Sequence, residues 1–350
     1  MKIAVIGGGI FGVTTAIVLS TKFEVDLFEK HNDILMAGSD VNQCRIHRGY
    51  HYPRSTETVS SVLKSQKSFY DFFSSAIMHD IEPYYCISKR GSLTSAKEYL
   101  DFCKRSGLEY EESTIAPIDN SKIDLCVKVN ENLFDHSKLK KICWNKLQQS
   151  QVNINLNNTV NEQIFENYDH IVISTYADLN KLLSHYPGHQ LNYQFEVCEK
   201  VFVKLPHLFQ NKSILIMDGP FMSIDPVGST DYFIIGDVVN TVHQRNIGKF
   251  PEIDEKYIGL LNKGILSNPP ISNYNKFINS ASEFMPEIKN AEYVGSSFCI
   301  KTVLANVDKT DERPTLIRQV TPNITIIFSG KILTCIETAH EVLRNLTNTS

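Results

Sequence analysis

A two-domain α/β fold is predicted by three features of this 350-residue sequence. Residues 2–30 read as a buried strand, a glycine turn, a helix and a second strand, the opening of a right-handed βαβ unit. Residues 323–346 again read as strand, glycine turn and helix, and from about residue 195 the chain between the two units is rich in alternating β-type runs. We therefore predict a parallel sheet assembled from both chain ends, with a β-rich domain inserted between them.

Changes in the predicted secondary structure along the chain divide it into five segments. The parallel-sheet domain is predicted to take residues 1–80, 126–190 and 291–350, because these hold the strand-and-helix units. The inserted domain is predicted to take residues 81–125 and 191–290, where β-type runs dominate.

Composition and charge narrow the classes of partner. The chain is 42% hydrophobic and 21% charged, with a formal net charge of -4. This charge gives no overall electrostatic reason to bind nucleic acid or an anionic membrane. The cysteines form no CxxC pair and no cluster with histidine at metal-ligand spacing, so neither a metal site nor a disulfide scaffold is expected.

The uncharged run of residues 3–20 resembles a signal peptide or a short membrane span. Its middle holds a cluster of glycines, from which an apolar helix would gain nothing. We therefore expect a cytoplasmic protein without a membrane span.

The spacing Gly7-x-Gly9-x-x-Gly12 lies between the first strand and the first helix, where a dinucleotide cradle requires it. Gly7 permits the tight turn, Gly9 lets a pyrophosphate approach the backbone, and Gly12 allows close packing of helix and strand. Glu29 ends the second strand, where an acid accepts hydrogen bonds from a ribose diol and disfavours a 2'-phosphate. This Rossmann-type site suits FAD and NAD equally, and its predicted contacts are Gly7, Gly9, Ile10, Phe11, Gly12, Glu29 and Lys30.

The segment 42–55, NQCRIHRGYHYPRS, concentrates two histidines, three arginines and two tyrosines. His47 and His51 are candidate catalytic proton handlers, because histidine titrates near neutral pH. The competing interpretation is that both are structural.

The arginines and tyrosines of the same segment leave alternatives open. Arg45 and Arg48 either clamp an anionic group through the guanidinium fork, bind a cofactor phosphate, or pair with acids such as Asp40. Tyr50 and Tyr52 either line a substrate cavity or pack beneath a ring.

Five blocks carry a family resemblance: the fingerprint ending in LFEK, AGSDVNQCRIHRGYHYP, ENLFDHSKLKKICWNKLQQS, DGPFMSIDPVG, and TDERPTLI followed by ITIIFSGKILTCIETA. In this order they resemble the D-amino-acid oxidase-like superfamily of FAD-dependent oxidoreductases, which includes glycine, sarcosine and 2-hydroxyglutarate oxidases. The second block looks like the family segment beneath the flavin, and Ser39, Arg45 and Arg48 match its spacing in the sarcosine-oxidase branch. The resemblance implies FAD contacts from Ser39, Asn42, Gln43 and Arg45, and a catalytic role for Arg48.

The last block resembles the C-terminal flavin segment of the family, in which a glycine turn and a helix N-terminus meet the flavin carbonyls. A helix N-terminus or a cation there stabilises the negative charge of reduced flavin. The resemblance implies cofactor contacts from Gly330, Lys331, Ile332, Leu333 and Thr334. Lys331 is also a candidate catalytic cation, or else a solvated residue at a helix start.

The resemblance also suggests residues that reach the substrate from the inserted sheet. Phe221, Ser223, Asp225 and Arg313 are the candidates, and Arg313 is predicted to bind substrate beside Tyr50 and Tyr52. Lys301 lies near where relatives have a basic substrate contact, although an ordinary edge-strand lysine fits the pattern equally well.

Three features depart from the family pattern. Tyr176, in STYAD, stands where the family has glycine, and the family's aspartate-glycine-proline pattern is altered at 312–314. In some relatives a cysteine tethers the flavin. Cys335 is the one comparable residue here, but it lies at a different place in the C-terminal helix, so non-covalent FAD is expected.

The leading hypothesis is an FAD-dependent oxidoreductase that oxidises a C–N or C–O bond of a small polar, anionic metabolite by hydride transfer to flavin N5. Oxygen or another acceptor would then take the electrons. The alternatives are an NAD-dependent dehydrogenase or nucleotide-sugar enzyme that uses only the N-terminal cradle, and a catalytically inactive flavin-fold protein that serves in binding.

Overall fold

The computed structural model describes residues 1–306 and 313–348. Its strands are β1 (Lys2–Ile6), β2 (Glu24–Phe28), β3 (Arg45–Ile46), β4 (Ile77–Met78), β5 (Glu82–Ser88), β6 (Tyr110–Glu112), β7 (Ile123–Val129), β8 (Asn132–Phe134), β9 (Val152–Asn155), β10 (His170–Ile173), β11 (Tyr193–Lys204), β12 (Lys212–Met217), β13 (Met222–Pro226), β14 (Tyr232–Asp237), β15 (Val242–Gly248), β16 (Glu292–Leu304), β17 (Leu316–Thr321) and β18 (Ile324–Phe328). Its α-helices are α1 (Ile10–Leu19), α2 (Thr56–Phe73), α3 (Ala96–Arg105), α4 (His136–Gln149), α5 (Glu255–Ile258), α6 (Tyr274–Ser282) and α7 (Cys335–Asn348).

The first sheet has the strand order β17–β18–β10–β1–β2–β9. β1 pairs in parallel with β2 on one side and with β10 on the other, and β18 from the C-terminal part of the chain pairs in parallel with β10. β1, β10 and β18 are almost wholly buried runs of aliphatic residues, as parallel strands covered on both faces are. The predicted parallel sheet built from both chain ends is confirmed.

Two apolar layers cover this sheet. Helices α1, α2, α4 and α7 pack on one face and share a continuous hydrophobic core with β1 and β2. The other face contacts the 3₁₀ turn Tyr176–Leu182 and apolar residues of β11 and β16. The ends of the two long strands therefore attach the second sheet to the first.

The second sheet has the order β15–β11–β14–β13–β12–β5–β7–β6, and β16 also pairs with β11. β16 is antiparallel to β11 along nearly its whole length, from the pair Tyr193–Leu304 to the pair Lys204–Glu292. β7 and β16 thus pair within the second sheet, whereas the sequence assigned the residues from 126 and from 291 onward to the first domain. The local pattern of residue types does not show that the partner of a strand lies far away along the chain.

A small third sheet, β3–β8–β4, anchors the start of the segment 42–55. Its ladder pairs Arg45 with Leu133. At the other end of the segment, Ser55 caps α2 by accepting a hydrogen bond from the Thr58 N–H. The segment is therefore held at both ends.

A tight hairpin at Arg90-Gly91 is also suggested by the sequence EPYYCISKRGSLT, and the structure differs. β5 leads into a turn and then α3, and its neighbours in the sheet are β7 and β12. The partners of β5 come from distant parts of the chain, which local turn signals do not show.

Within residues 1–306 and 313–348, no helix is long and apolar enough to cross a bilayer. The same residues contain no group of three or more His, Cys, Asp or Glu side chains arranged to hold a metal ion.

Asp135 provides a test of how the two domains are joined. Its carboxylate caps α4 by accepting from the Lys138 N–H at 3.1 Å and also accepts from the Ser229 hydroxyl at 3.1 Å, in the turn before β14. We expect Asp135→Ala to lower the free energy of unfolding by about 0.5–2 kcal/mol, the usual cost of losing an N-cap. Urea unfolding measures this, with Asp135→Asn as the matched control that keeps a capping oxygen. Equal stability of the two variants would contradict the capping role.

Candidate active site

The glycine cradle requires glycine at two positions, one for its backbone conformation and one for lack of space. Gly7 has φ +108°, and a Cβ there would lie 2.4 Å from the carbonyl oxygen of Ser174 at the end of β10. A Cβ on Gly12 would lie 1.8 Å from the Gly7 carbonyl oxygen. At Gly9 the nearest atom to a Cβ would be Ser39 Oγ, 3.4 Å away, so the start of α1 stays open to a ligand.

Glu29 and Ser39 complete the cradle. One oxygen of Glu29 accepts from the Gly8 N–H at 2.6 Å and the other from the His31 N–H at 2.8 Å. A carboxylate offers about four lone-pair positions, so capacity for a ribose diol remains. Ser39 Oγ accepts from the Ile10 N–H at 3.0 Å and thereby caps α1 from a distant loop. These residues fit the adenosine and diphosphate part of FAD.

Three other predicted cofactor residues are engaged within the protein. Lys30 forms an ion pair with Asp178 at 2.6 Å. Asn42 donates to the Ser39 carbonyl at 2.6 Å and accepts from the Cys44 N–H, so it shapes its own loop. Gln43 donates to the Ser223 hydroxyl on β13, which makes it a contact between the loop and the second sheet.

Arg45 is buried in an ionic network, and its contact with the cofactor stays a prediction. Its side chain is 2% exposed, and its guanidinium lies 2.8 Å from Asp225 Oδ1 and 3.7 Å from Glu131 Oε1. Burial alone would lower the pKa of Arg45, but Asp225, Tyr85 and Glu131 together raise it above its ordinary value. The cation is therefore committed to two buried carboxylates, one in the second sheet and one between β7 and β8.

Glu131 is a site residue that sequence reasoning missed. It accepts from the Tyr85 hydroxyl at 2.7 Å and from the Arg48 N–H at 3.0 Å, and its Oε1 lies 3.6 Å from Nδ1 of His47. Burial alone would raise its pKa, but His47, Arg45 and Tyr85 hold it below its ordinary value. A lone acid in VNEN carries no motif, so no local signal could have identified it.

His47 and His51 lie side by side next to Tyr52 and Lys331. The two imidazole centroids are 5.4 Å apart, and those of His51 and Tyr52 are 5.0 Å apart with the rings nearly perpendicular. The ammonium of Lys331 lies 4.5 Å from the centre of the Tyr52 ring. The structure thus brings together four of the predicted site residues, from the segment 42–55 and the C-terminal turn.

Both imidazoles are partly buried, and the pKa of each is lowered, which favours the neutral form. Burial lowers the pKa of His47, and the charges of Lys331 and Arg45 lower it further, although Glu131 opposes them. The pKa of His51 is lowered well below its ordinary 6.5, first by burial and then by His47, Lys331, Arg45 and Arg313. A neutral imidazole can accept a proton from a bound substrate.

Two residues predicted for the site lie outside this cluster. Arg48 donates through Nη1 to the Asn130 carbonyl at 2.9 Å, at the protein surface, so it does not reach the histidine pair as predicted for a catalytic cation. Tyr50 is 1% exposed and donates to the Glu109 carbonyl at 2.5 Å, within the core beneath α3, so it is a packing residue and not a substrate contact.

The C-terminal turn presents backbone amides where the family segment would meet a flavin. A Cβ on Gly330 would lie 2.1 Å from the Arg313 carbonyl oxygen, which excludes larger residues. The Gly330 N–H donates to Thr315 Oγ1 at 3.1 Å, and Thr334 Oγ1 donates to the Lys331 carbonyl at 2.8 Å. Hydrogen bonds thus hold the turn that precedes α7. This turn contains the predicted cofactor contacts Gly330, Lys331, Ile332, Leu333 and Thr334, and it fits the ring end of FAD. The Leu333 side chain itself belongs to the core.

Tyr176 has φ +54°, in the left-handed region that favours glycine. Its hydroxyl accepts from the Thr302 N–H of β16 at 3.0 Å, and its ring packs where a Cβ on Gly38 would lie, 3.0 Å away. Cys335 is fully buried in the helical core, and Glu312 lies outside the described residues.

The residues suggested on the second sheet separate into two groups. Ser223 and Asp225 face the segment 42–55 through Gln43 and Arg45. Phe221 packs edge-on against Phe284 in the opposite core. Lys301 forms an ion pair with Glu196 at 3.0 Å, so its ammonium is neutralised.

The Arg45 network predicts a large loss of stability on removal of the cation. We expect Arg45→Met to cost about 3–5 kcal/mol, because Glu131 and Asp225 would be left as unpaired buried charges. Thermal and urea unfolding measure the loss. The double variant Arg45→Met with Asp225→Asn should recover part of it, and failure to recover any would show that packing, not charge, is what Arg45 supplies.

Comparisons with known proteins agree with this geometry. Residues 2–122 match the family model described as DAO, FAD dependent oxidoreductase. A FAD-dependent monooxygenase, FPY4 of Fusarium mangiferae, is 24% identical over 250 residues, which are 69% of this chain and 64% of that protein. The matched region therefore spans just under two thirds of that relative's length.

Solved structures share the fold over the whole chain. Glycine oxidase from Geobacillus kaustophilus has a TM-score of 0.73 at 14% identity, covering 99% of this chain and 95% of that one. L-amino acid deaminase from Proteus vulgaris has a TM-score of 0.70 at 10% identity, covering 99% of this chain and 93% of that one. With the glycine cradle and the C-terminal turn, these matches show a FAD-dependent oxidoreductase domain at residues 2–122 and a fold shared with the solved structures over the chain, and the cofactor is FAD.

Proposed function

We propose that this protein oxidises a C–N or C–O bond of a small anionic metabolite, with His47 as the residue that accepts the substrate proton. The observation that carries the proposal is the pair of adjacent, partly buried imidazoles packed with Tyr52, whose ring Lys331 also contacts. Bound FAD supplies the hydride acceptor, N5, and oxygen or another acceptor would take up the electrons afterwards.

The charge around the histidines supports an anionic substrate. Lys331, Arg45 and Arg313 all act electrostatically on His51 and lower its pKa. The three cations therefore make the potential at the pair positive. Such a potential draws a carboxylate toward the cluster and holds it there.

The contact between His47 and Glu131 supports the choice of proton acceptor. Nδ1 of His47 lies 3.6 Å from Glu131 Oε1, and a carboxylate favours the proton on the nitrogen that faces it. Nε2 then keeps its lone pair and can accept the proton of an ammonium or hydroxyl group. The negative charge of Glu131 stabilises the imidazolium that results.

A catalytically inactive flavin-fold protein is the second candidate function. Tyr176 favours it, because a bulky side chain stands at a left-handed position where the family has glycine. The NAD-dependent alternative is disfavoured, because both the matching family model and the matching relative are described as FAD-dependent.

Anaerobic reduction of the bound flavin tests the proposed reaction. We expect amino acids, N-alkyl amino acids or 2-hydroxy acids to bleach the flavin absorbance of the purified protein. Matched amines and alcohols without the carboxylate should bleach it far more slowly, because they lack the group that the cations attract. Flavin that is bound but reduced by none of these compounds would favour the inactive candidate.

The pH dependence of flavin reduction tests His47. Because the pKa of His47 lies below 6.5, the base is neutral near pH 7, and the rate attributable to this group should stay level down to about pH 6.5 and fall in more acidic solution. His47→Gln should lower the rate constant of flavin reduction roughly 10²–10⁴-fold, the range for loss of a general base. Tyr50→Phe, which alters a hydroxyl outside the cluster, serves as the control and should keep the rate. A His47→Gln variant as fast as the Tyr50→Phe control would exclude this role.

A further inference from the structure

Lys200 lies on the face of the second sheet that is turned toward the FAD-binding domain. Its neighbours Val201 and Val203 point to the opposite face, into the core that α6 covers. Side chains alternate along a strand, so Lys200 shares the inner face with Cys198. Phe202, on the same face of the strand, lies opposite Ile234, and Ile234 lies opposite Asp225, the partner of Arg45. This face is therefore the one turned toward the segment 42–55.

The side-chain ammonium of Lys200 makes no hydrogen bond or ion pair with any residue in the described parts of the chain. Its two lysine neighbours in the sheet differ. Lys204, on the same strand, pairs with Asp231 at 2.7 Å, and Lys301 pairs with Glu196 at 3.0 Å. Lys200 is therefore an ammonium without a counter-ion at a partly buried position.

The acid whose charge acts on Lys200 is already neutralised. Asp225 lies 2.8 Å from the Arg45 guanidinium and accepts from the Ser213 hydroxyl at 2.8 Å. The pKa of Lys200 is lowered, first because burial removes water from the ammonium. A buried cation of this kind is stabilised when an anion binds to it.

Ser297 provides a second, independent sign of a ligand. It lies directly opposite Lys200 in the β11–β16 ladder, so both side chains project from the inner face. Its hydroxyl is buried and makes no hydrogen bond within the described residues. An ammonium and a hydroxyl side by side are the donors that a carboxylate oxygen requires.

We propose that Lys200 and Ser297 bind a second anionic group of the substrate, which makes the preferred substrate a dianion such as a dicarboxylic amino or hydroxy acid. Lys331 and Arg313 then attract the carboxylate next to the reacting carbon, near the histidine pair. Lys200 binds the distal carboxylate from the sheet. The Arg45–Asp225 pair connects the two sets, because Arg45 belongs to the segment that carries the histidines and Asp225 shares the inner face of the sheet with Lys200.

This inference rests on the proposed function for its reaction, but binding alone can test it. Non-reactive monocarboxylates (acetate, propionate) and dicarboxylates (malonate, succinate, glutarate) are titrated into the FAD-loaded full-length protein, and dissociation constants are read from the flavin absorbance change. In the wild type, at least one dicarboxylate should bind roughly tenfold or more tightly than the monocarboxylates. Lys200→Met should weaken that dicarboxylate roughly 10- to 100-fold, the loss of a charge-assisted hydrogen bond, and leave the monocarboxylates unchanged.

Matched variants separate binding from folding. Lys200→Arg should keep most of the preference, Ser297→Ala should lose part of it, and Lys204→Met, on the same strand, should behave as wild type. Melting temperature and flavin content establish that each variant is folded. A folded Lys200→Met protein with an unchanged dicarboxylate preference, or a wild type that prefers no dicarboxylate, would overturn the proposal. A retained preference in a protein whose flavin no substrate reduces would instead leave the anion site standing and remove the proposed reaction.

Discussion

The buried Arg45 cation is the interaction on which the rest of the site depends. It comes from β3, in the segment that leaves the first domain, and it binds Asp225 in the second sheet and Glu131 between β7 and β8. Three parts of the chain that are far apart in sequence thus meet at one desolvated charge. Because both carboxylates are buried, neither can rotate away to solvent, and the segment 42–55 takes a single position relative to the sheet.

The position of the histidine pair follows from this network. Arg45 and the Tyr85 hydroxyl keep Glu131 ionised in a buried place, and Glu131 in turn faces His47. Without Arg45, the carboxylate would be driven toward protonation and would no longer orient the imidazole. The arginine is therefore a positioning residue, and it acts on a bound substrate through Glu131 and His47.

Sequence reasoning succeeded where the constraint is local. The strand–glycine–helix order depends on residues a few positions apart, and it is present. It could not foresee the burial of Arg45 and Tyr50, because the residues that pack around them come from distant parts of the chain. Lys200 and Ser297 were missed for the same reason, although a lysine at an inner-face position of FEVCEKVFVKL, between Cys198 and Phe202, was a visible irregularity.

Tyr176 shows how the fold tolerates a departure from its family pattern. A non-glycine residue in the left-handed region costs about 1–3 kcal/mol. Here the hydroxyl of Tyr176 accepts a backbone hydrogen bond from Thr302, and its ring fills the space left by the missing side chain of Gly38. Because β16 provides Thr302, these contacts connect the end of β10 to the strand that carries Ser297. The tyrosine thus joins the FAD-binding domain to the inner face of the second sheet. Its contacts with Thr302 and Gly38 offset the backbone strain at the boundary between the two sheets, where a substrate would bind.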